Sequence, residues 1–174
     1  FFVFYPGLRY DWGPWQFGML LALDGVLDMI VQGVLVGPAT KRLGDRMTMI
    51  LGLCGGTVGI ALMGWAPTGV AFIIAMLPNA LWGLAMPTLQ SLMTRRVSES
   101  EQGQLQGANM SVASIAGVAS PLFFGWIYSE SVEQGMWSPN PGLAFYLAAA
   151  VLALAALIGW ITARRAERDE VTVV

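Results

Sequence analysis

The 174-residue chain is 56% hydrophobic and 11% charged, with a formal net charge of −2 and no histidine. A soluble domain carries about a quarter charged residues, so this composition excludes an ordinary soluble globule and places the chain in a membrane. A single cysteine, Cys54, excludes a disulfide framework and a cysteine metal site; inside an apolar run it reads as a small packing residue.

Apolar runs of about 20 residues match a hydrocarbon core ~30 Å thick at 1.5 Å rise per residue. Five complete spans are predicted at 17–36, 47–65, 70–93, 104–128 and 143–163, with residues 1–5 as the end of an earlier one and 164–174 as a tail. The chain opens at Phe1–Tyr5 without a methionine or a basic leader, which reads as a fragment of a larger protein. The expected fold is an all-α polytopic membrane protein.

Charge then orients the spans. Lys41, Arg42 and Arg46 follow the first, Arg95 and Arg96 the third, and Arg164, Arg165 and Arg168 the fifth. Eight of the nine basic residues thus share one side, which the positive-inside rule makes cytoplasmic, together with the C-terminus. Arg9, Asp11, Glu130 and Glu133 fall on the other side, where Trp12, Trp15, Trp65 and Trp137 mark the interface. Glycine pairs spaced by four, Gly33/Gly37, Gly52/Gly56 and Gly55/Gly59, and the series Gly117, Pro121, Gly125 suit close helix packing in lipid. Pro78, Pro87 and Pro121 are candidate kinks.

The first span carries Asp24, Asp28 and Gln32, whose four-residue steps form one helical stripe. Counted from residue 17, Asp28 lies roughly 16 Å deep, where a carboxylate costs ~2.5–3.5 kcal/mol on insertion scales. Such a stripe faces a polar cavity or a partner helix, and two readings stay open: proton carriage or a structural hydrogen bond. In the third span Asn79, Trp82, Met86 and Gln90 form a second stripe, suited equally to an amphiphilic ligand and to interhelical hydrogen bonds. Asn109, Ser111, Ser114 and Ser120 lie in the fourth, where hydroxyls can bond back to the preceding turn. The spans at 47–65 and 143–163 contain no charged residue and no amide, so spans one, three and four line something and two and five support them.

Between the first two spans stands Gly37–Arg46, GPATKRLGDR, read as a basic turn. It resembles the cytoplasmic loop motif of the major facilitator superfamily: Gly37, Arg42, Gly44 and Arg46 fit, whereas Lys41 stands at the usual acid and Asp45 at a basic position. Such erosion is similar to the motif's second copy. GLAMPTLQSLMTRRVSESEQGQLQG (83–107) resembles the corresponding region of tetracycline–proton antiporters. The resemblance covers about residues 12–165 and implies the C-terminal six-helix half of a twelve-helix fold, with spans eight, ten and eleven near a central cavity. It implies that Arg42 and Arg46 help to hold the cytoplasmic side closed. One departure bears on substrate: Leu51–Thr57, LGLCGGT, holds no acid where tetracycline exporters carry one.

The expectation is a secondary active transporter rather than an enzyme: proton-coupled efflux of small amphiphilic compounds by alternating access, in a bacterial inner membrane. Its partners would be the small-molecule substrate, protons, lipid and an N-terminal six-helix half, with no cofactor, metal or nucleic acid. The alternatives are a facilitator or importer of the same fold and an intramembrane enzyme in which Asp24 and Asp28 share a metal ion.

Overall fold

A computed structural model describes residues 4–132 and 142–172; Glu133 and Trp137 lie outside the described residues, as do the side chains of 163–172, including Arg164, Arg165 and Arg168. Every element among the described residues is helical: α1 (Phe4–Tyr10), α2 (Pro14–Ile30), a π-turn (Val31–Leu35), α3 (Val36–Trp65), α4 (Gly69–Ala80), a 3-10 turn (Leu81–Leu84), α5 (Ala85–Thr94), a second 3-10 turn (Glu99–Glu101), α6 (Gln102–Val132) and α7 (Leu143–Thr172). Four helical runs are long and apolar enough to cross a membrane: Pro14–Trp65, Gly69–Thr94, Glu99–Ile127 and Leu143–Thr162.

The first run is 52 residues long, about 78 Å at 1.5 Å per residue, more than twice the hydrocarbon thickness. It is not one rod. Gly44 sits at φ 77°, ψ 162° inside α3, so two helices meet there. The basic turn is therefore shorter than the sequence suggests: residues 37–43 stay helical and the helical path breaks at Gly44 alone. Asp45 then opens the second helix, where a negative charge suits the N-terminal dipole, and the Thr48 hydroxyl donates to the Gly44 carbonyl at 2.8 Å. A side chain at Gly44 would be forced into the left-handed region, so Gly44→Ala is expected to cost about 1–2 kcal/mol. Thermal unfolding in detergent checks this.

Prolines explain the irregular turns. Pro38 lacks the N–H that would reach the Val34 carbonyl and its ring crowds that group; Val34 lies in the π-turn. Pro87 does the same to Gly83, which lies in the 3-10 turn. Local π and 3-10 adjustments re-satisfy such backbone groups inside a membrane. Pro121, by contrast, sits in an unbroken α6.

The part of α3 after Gly44 is the packing centre, touching α4, α5 and α7. Its glycines make this possible. A Cβ on Gly52 would come within 2.9 Å of the Ala85 nitrogen, and one on Gly55 within 2.6 Å of the Leu81 Cβ. Gly64 faces Phe145 of α7 in the same way. Gly33, Gly37, Gly117 and Gly125 have nothing within 4 Å of a Cβ position, so their spacing serves no contact among the described residues. Cys54 is exposed rather than packed.

One end of the bundle is closed by aromatic rings. Tyr5 and Phe145 meet edge-to-face with centroids 4.7 Å apart, and Tyr10, Trp12 and Phe72 complete the cluster. The Tyr5 hydroxyl donates to Gly64 O at 3.1 Å and that of Tyr10 to Ala66 O at 2.7 Å, tying α1 to the α3–α4 turn. At the other end Ser98 caps the helix that follows: its hydroxyl (2.6 Å) and its N–H (3.0 Å) both donate to Glu101 Oε2. These bonds hold the Glu101 carboxyl below its ordinary range, so the cap is complete above that range and is lost as pH falls through the lowered pKa.

Candidate functional site: an acidic stripe against a side-chain-free turn

The π-turn of residues 31–35 packs against the 3-10 turn of residues 81–84. Val31, Ala80 and Leu84 are buried where they meet, with Leu27 and Val36 packed around them. Beside this contact lies the acidic stripe. A Cβ at Gly83 would come within 3.2 Å of Asp28 Oδ1, 3.3 Å of Val31 Cγ1 and 3.6 Å of Gln32 Cγ. Glycine at 83 thus leaves the room that the Asp28 carboxylate occupies. Both turns owe their irregularity to a proline, so local sequence builds this seat on each side.

Asp24 is half-buried one turn earlier on α2, while Asp28 and Gln32 keep exposed surface. Leu21 and Gly25, which share this side of α2 with Asp28 and Gln32, are also exposed, so this face of α2 is uncovered among the described residues. Among the described residues no group of three or more His, Cys, Asp or Glu side chains converges that could hold a metal.

The third-span stripe divides. Asn79 turns toward α3: a Cβ on Gly59 would lie 2.5 Å from the Asn79 Cα and Cβ. Its side-chain oxygen is buried without a hydrogen-bond partner among the described residues. Trp82 rests its Cβ and Cγ over Gly56 while 45% of the residue stays exposed. Met86 is 69% exposed and Gln90 half-buried. The residue of this segment that meets the acidic stripe is Gly83, which has no chemistry of its own to announce it. Asn109 is brought to the end of α5, its amide nitrogen 3.7 Å from Met93 Sδ. Ser111 and Ser114 bond back to Gly107 O and Met110 O, as their positions suggest.

At the basic end, Lys41 and Arg42 are exposed and Arg46 is half-buried. Asp45 joins two elements: its Oδ2 accepts from Ser91 Oγ at 2.9 Å and lies 3.1 Å from Arg95 Nη2. Asp45, one of the two residues that depart from the loop motif, is therefore the one that ties the Gly44 turn to the end of α5. Sequence spacing alone does not reveal this pair, because Ser91 and Arg95 are brought to Asp45 only by packing along the glycine face of α3.

Four long apolar helical runs, irregular turns facing each other mid-helix and an acidic stripe within the first run describe a multi-pass membrane protein. The chain belongs to the Major Facilitator Superfamily, which it matches over residues 1–173. It is 34% identical over 143 residues to the class C tetracycline resistance protein of Escherichia coli, covering 82% of this chain and 35% of that protein. With the class H protein of Pasteurella multocida it shares 29% identity over 163 residues, 94% of this chain and 40% of the relative. The class G protein of Vibrio anguillarum is 33% identical over 136 residues, 78% of this chain and 34% of that protein. The chain thus spans little more than a third of the length of these relatives. No solved structure gives a significant match.

Proposed function

We propose that the chain is the C-terminal half of a proton-driven exporter of small amphiphilic compounds in a bacterial inner membrane. In this reading the two helices that meet at Gly44 are separate crossings, giving five complete spans and the end of a sixth at α1. The basic end, with the C-terminus, faces the cytoplasm, as the positive-inside rule requires. The uncovered faces of α2 and α6 turn toward the other six-helix half, with the substrate path between them.

The observation that carries the reading is the seat of Asp28 against Gly83, where two proline-bent turns meet. A carboxylate at that depth costs several kcal/mol while charged and much less once protonated. Proton entry from outside would neutralise Asp28 and favour closure of the uncovered α2 face; proton loss inward would reopen it. A two-state element biased by one proton is what couples flux to the proton gradient. Asp24 supplies a second carboxylate one turn away, and Gln32 a neutral amide that can hydrogen-bond either protonation state. Trp82, Met86 and Gln90 offer apolar and amide contacts to a substrate beyond Gly83.

The relatives' names point to tetracycline resistance. The segment Leu51–Thr57, however, holds no acid, and Gly52, Gly55 and Gly56 within it are sealed against α5, the 81–84 turn and α7. This favours an amphiphile other than tetracycline as the preferred substrate. The test is uptake into inverted vesicles containing the full-length transporter, with tetracycline and a panel of lipophilic cations and neutral drugs. Uptake of at least one compound is expected to stop when an ionophore collapses the pH gradient. Uptake that persists unchanged for all of them indicates a facilitator and removes the proton-coupled reading.

A further inference from the structure

We propose that Gly83 is a positioning residue for Asp28: bare backbone at that point lets the carboxyl lie against the 81–84 turn, and this contact governs how readily Asp28 takes up a proton. The fit is tight on two sides of one glycine. A Cβ at 83 would stand 3.2 Å from Asp28 Oδ1 and 3.3 Å from Val31 Cγ1, both closer than ordinary van der Waals contact. A carboxylate held there keeps no water on the side facing the turn, which disfavours its charged state relative to the neutral one.

Few other groups compete for that carboxyl. Asp28 has no hydrogen-bond or ion-pair partner among the described residues. The segment across from it, Gly69–Thr94, carries no ionisable side chain. Beyond Arg46, α3 offers only Cys54, which lines a groove with Ala153 and Leu157 of α7 instead. Along its own helical run the neighbours are Asp24, one turn earlier, and exposed Lys41, about 20 Å further on. Asp24 acts through like-charge repulsion; the other control is the surface of the turn, and Gly83 sets how closely the carboxyl meets it.

An alanine at 83 forces a neighbour to give way. Val31 is buried and branched at Cβ, so its rotamer is stiff. Asp28 keeps exposed surface, and its carboxyl ends a short side chain that can turn. The carboxyl therefore moves off toward the uncovered face of α2 and holds its proton less firmly once the turn no longer shields it. Gly83 has no chemistry of its own; it acts only through Asp28.

The test titrates Asp28 directly in the full-length transporter. Dicyclohexylcarbodiimide reacts with protonated carboxyls, and tandem mass spectrometry counts labelled Asp28 as pH is varied. In Gly83→Ala the pH of half-labelling is expected to fall by about one unit, a tenfold weaker hold on the proton. Val31→Ala loosens the same contact but leaves the seat of the carboxyl open, so its midpoint should stay in place. Gly83→Ala joined with Val31→Ala, which gives back the room at Cγ1, should show the lowered midpoint too, and carries the test if the single variant does not fold. Uptake into inverted vesicles with luminal pH varied reads the consequence for flux, which rests on the reading of Asp28 as the proton carrier; its half-maximal pH should fall with the labelling midpoint. A labelling midpoint unmoved in both Gly83 variants, or moved as far by Val31→Ala alone, would overturn the proposal. A labelling shift with no shift in flux leaves Gly83 in its role and removes Asp28 from coupling.

Discussion

Asp28→Asn in the full-length transporter is expected to abolish proton-coupled efflux while leaving the protein as stable as before or more so. Asparagine has nearly the same shape, so the seat against Gly83 stays filled. It cannot change charge, so the proton no longer biases the α2 face. Removing a carboxylate from mid-membrane also removes an insertion cost of ~2.5–3.5 kcal/mol. A structural role gives the opposite pattern: loss of a needed acceptor lowers stability and reduces transport only through the amount of folded protein. Efflux per folded molecule and the unfolding temperature, measured on the same preparation, separate the two.

The second large effect is expected at Gly59. An alanine there would place a methyl group within 2.5 Å of the Asn79 Cα. The obstruction is backbone of a packed helix and cannot swing aside as a side-chain tip can. The α3–α4 contact has to open, and Gly55 loses its approach to the Pro78 carbonyl with it. Overpacking costs about 1–3 kcal/mol, and a forced backbone separation lies at or above the upper end of that range. Gly25→Ala is the control: nothing among the described residues lies within 4 Å of its Cβ position, so helix propensity acts and favours alanine by up to ~1 kcal/mol. Membrane yield and thermal unfolding should fall sharply for Gly59→Ala and hold or rise for Gly25→Ala.

These two residues mark what the sequence discloses. Membrane class, the apolar runs and the acidic stripe follow from hydropathy and helical period, which are local properties. Gly44 was legible as part of a turn, because only glycine and proline interrupt that stretch. That the break takes one residue, with 37–43 still helical, depends on the π-turn absorbing Pro38, which helical periodicity does not register. The glycine spacing at 52, 55, 56 and 59 announced close packing but not its partner, since Asn79 and Leu81 come to it only through the α3–α4 turn. In the candidate site Asp28 stood out by its charge, whereas Gly83 carries no signal beyond the nearby Pro87. The stripe of Asn79, Trp82, Met86 and Gln90 is regular on a uniform helix; the 3-10 turn at 81–84 breaks that period, and Asn79 faces Gly59 instead. Asp45, Ser91 and Arg95 form a contact between distant segments, and no residue spacing encodes it.

The most direct test of proton coupling reverses the flux measurement. Inverted vesicles containing the full-length transporter, loaded with an exported compound and given no imposed pH gradient, should show a pH change inside as the compound leaves down its own gradient. Outward movement of substrate from such vesicles should draw protons in, acidifying the lumen with a signal that disappears in Asp28→Asn. Substrate release at an undiminished rate with no change in luminal pH would contradict proton antiport through this chain.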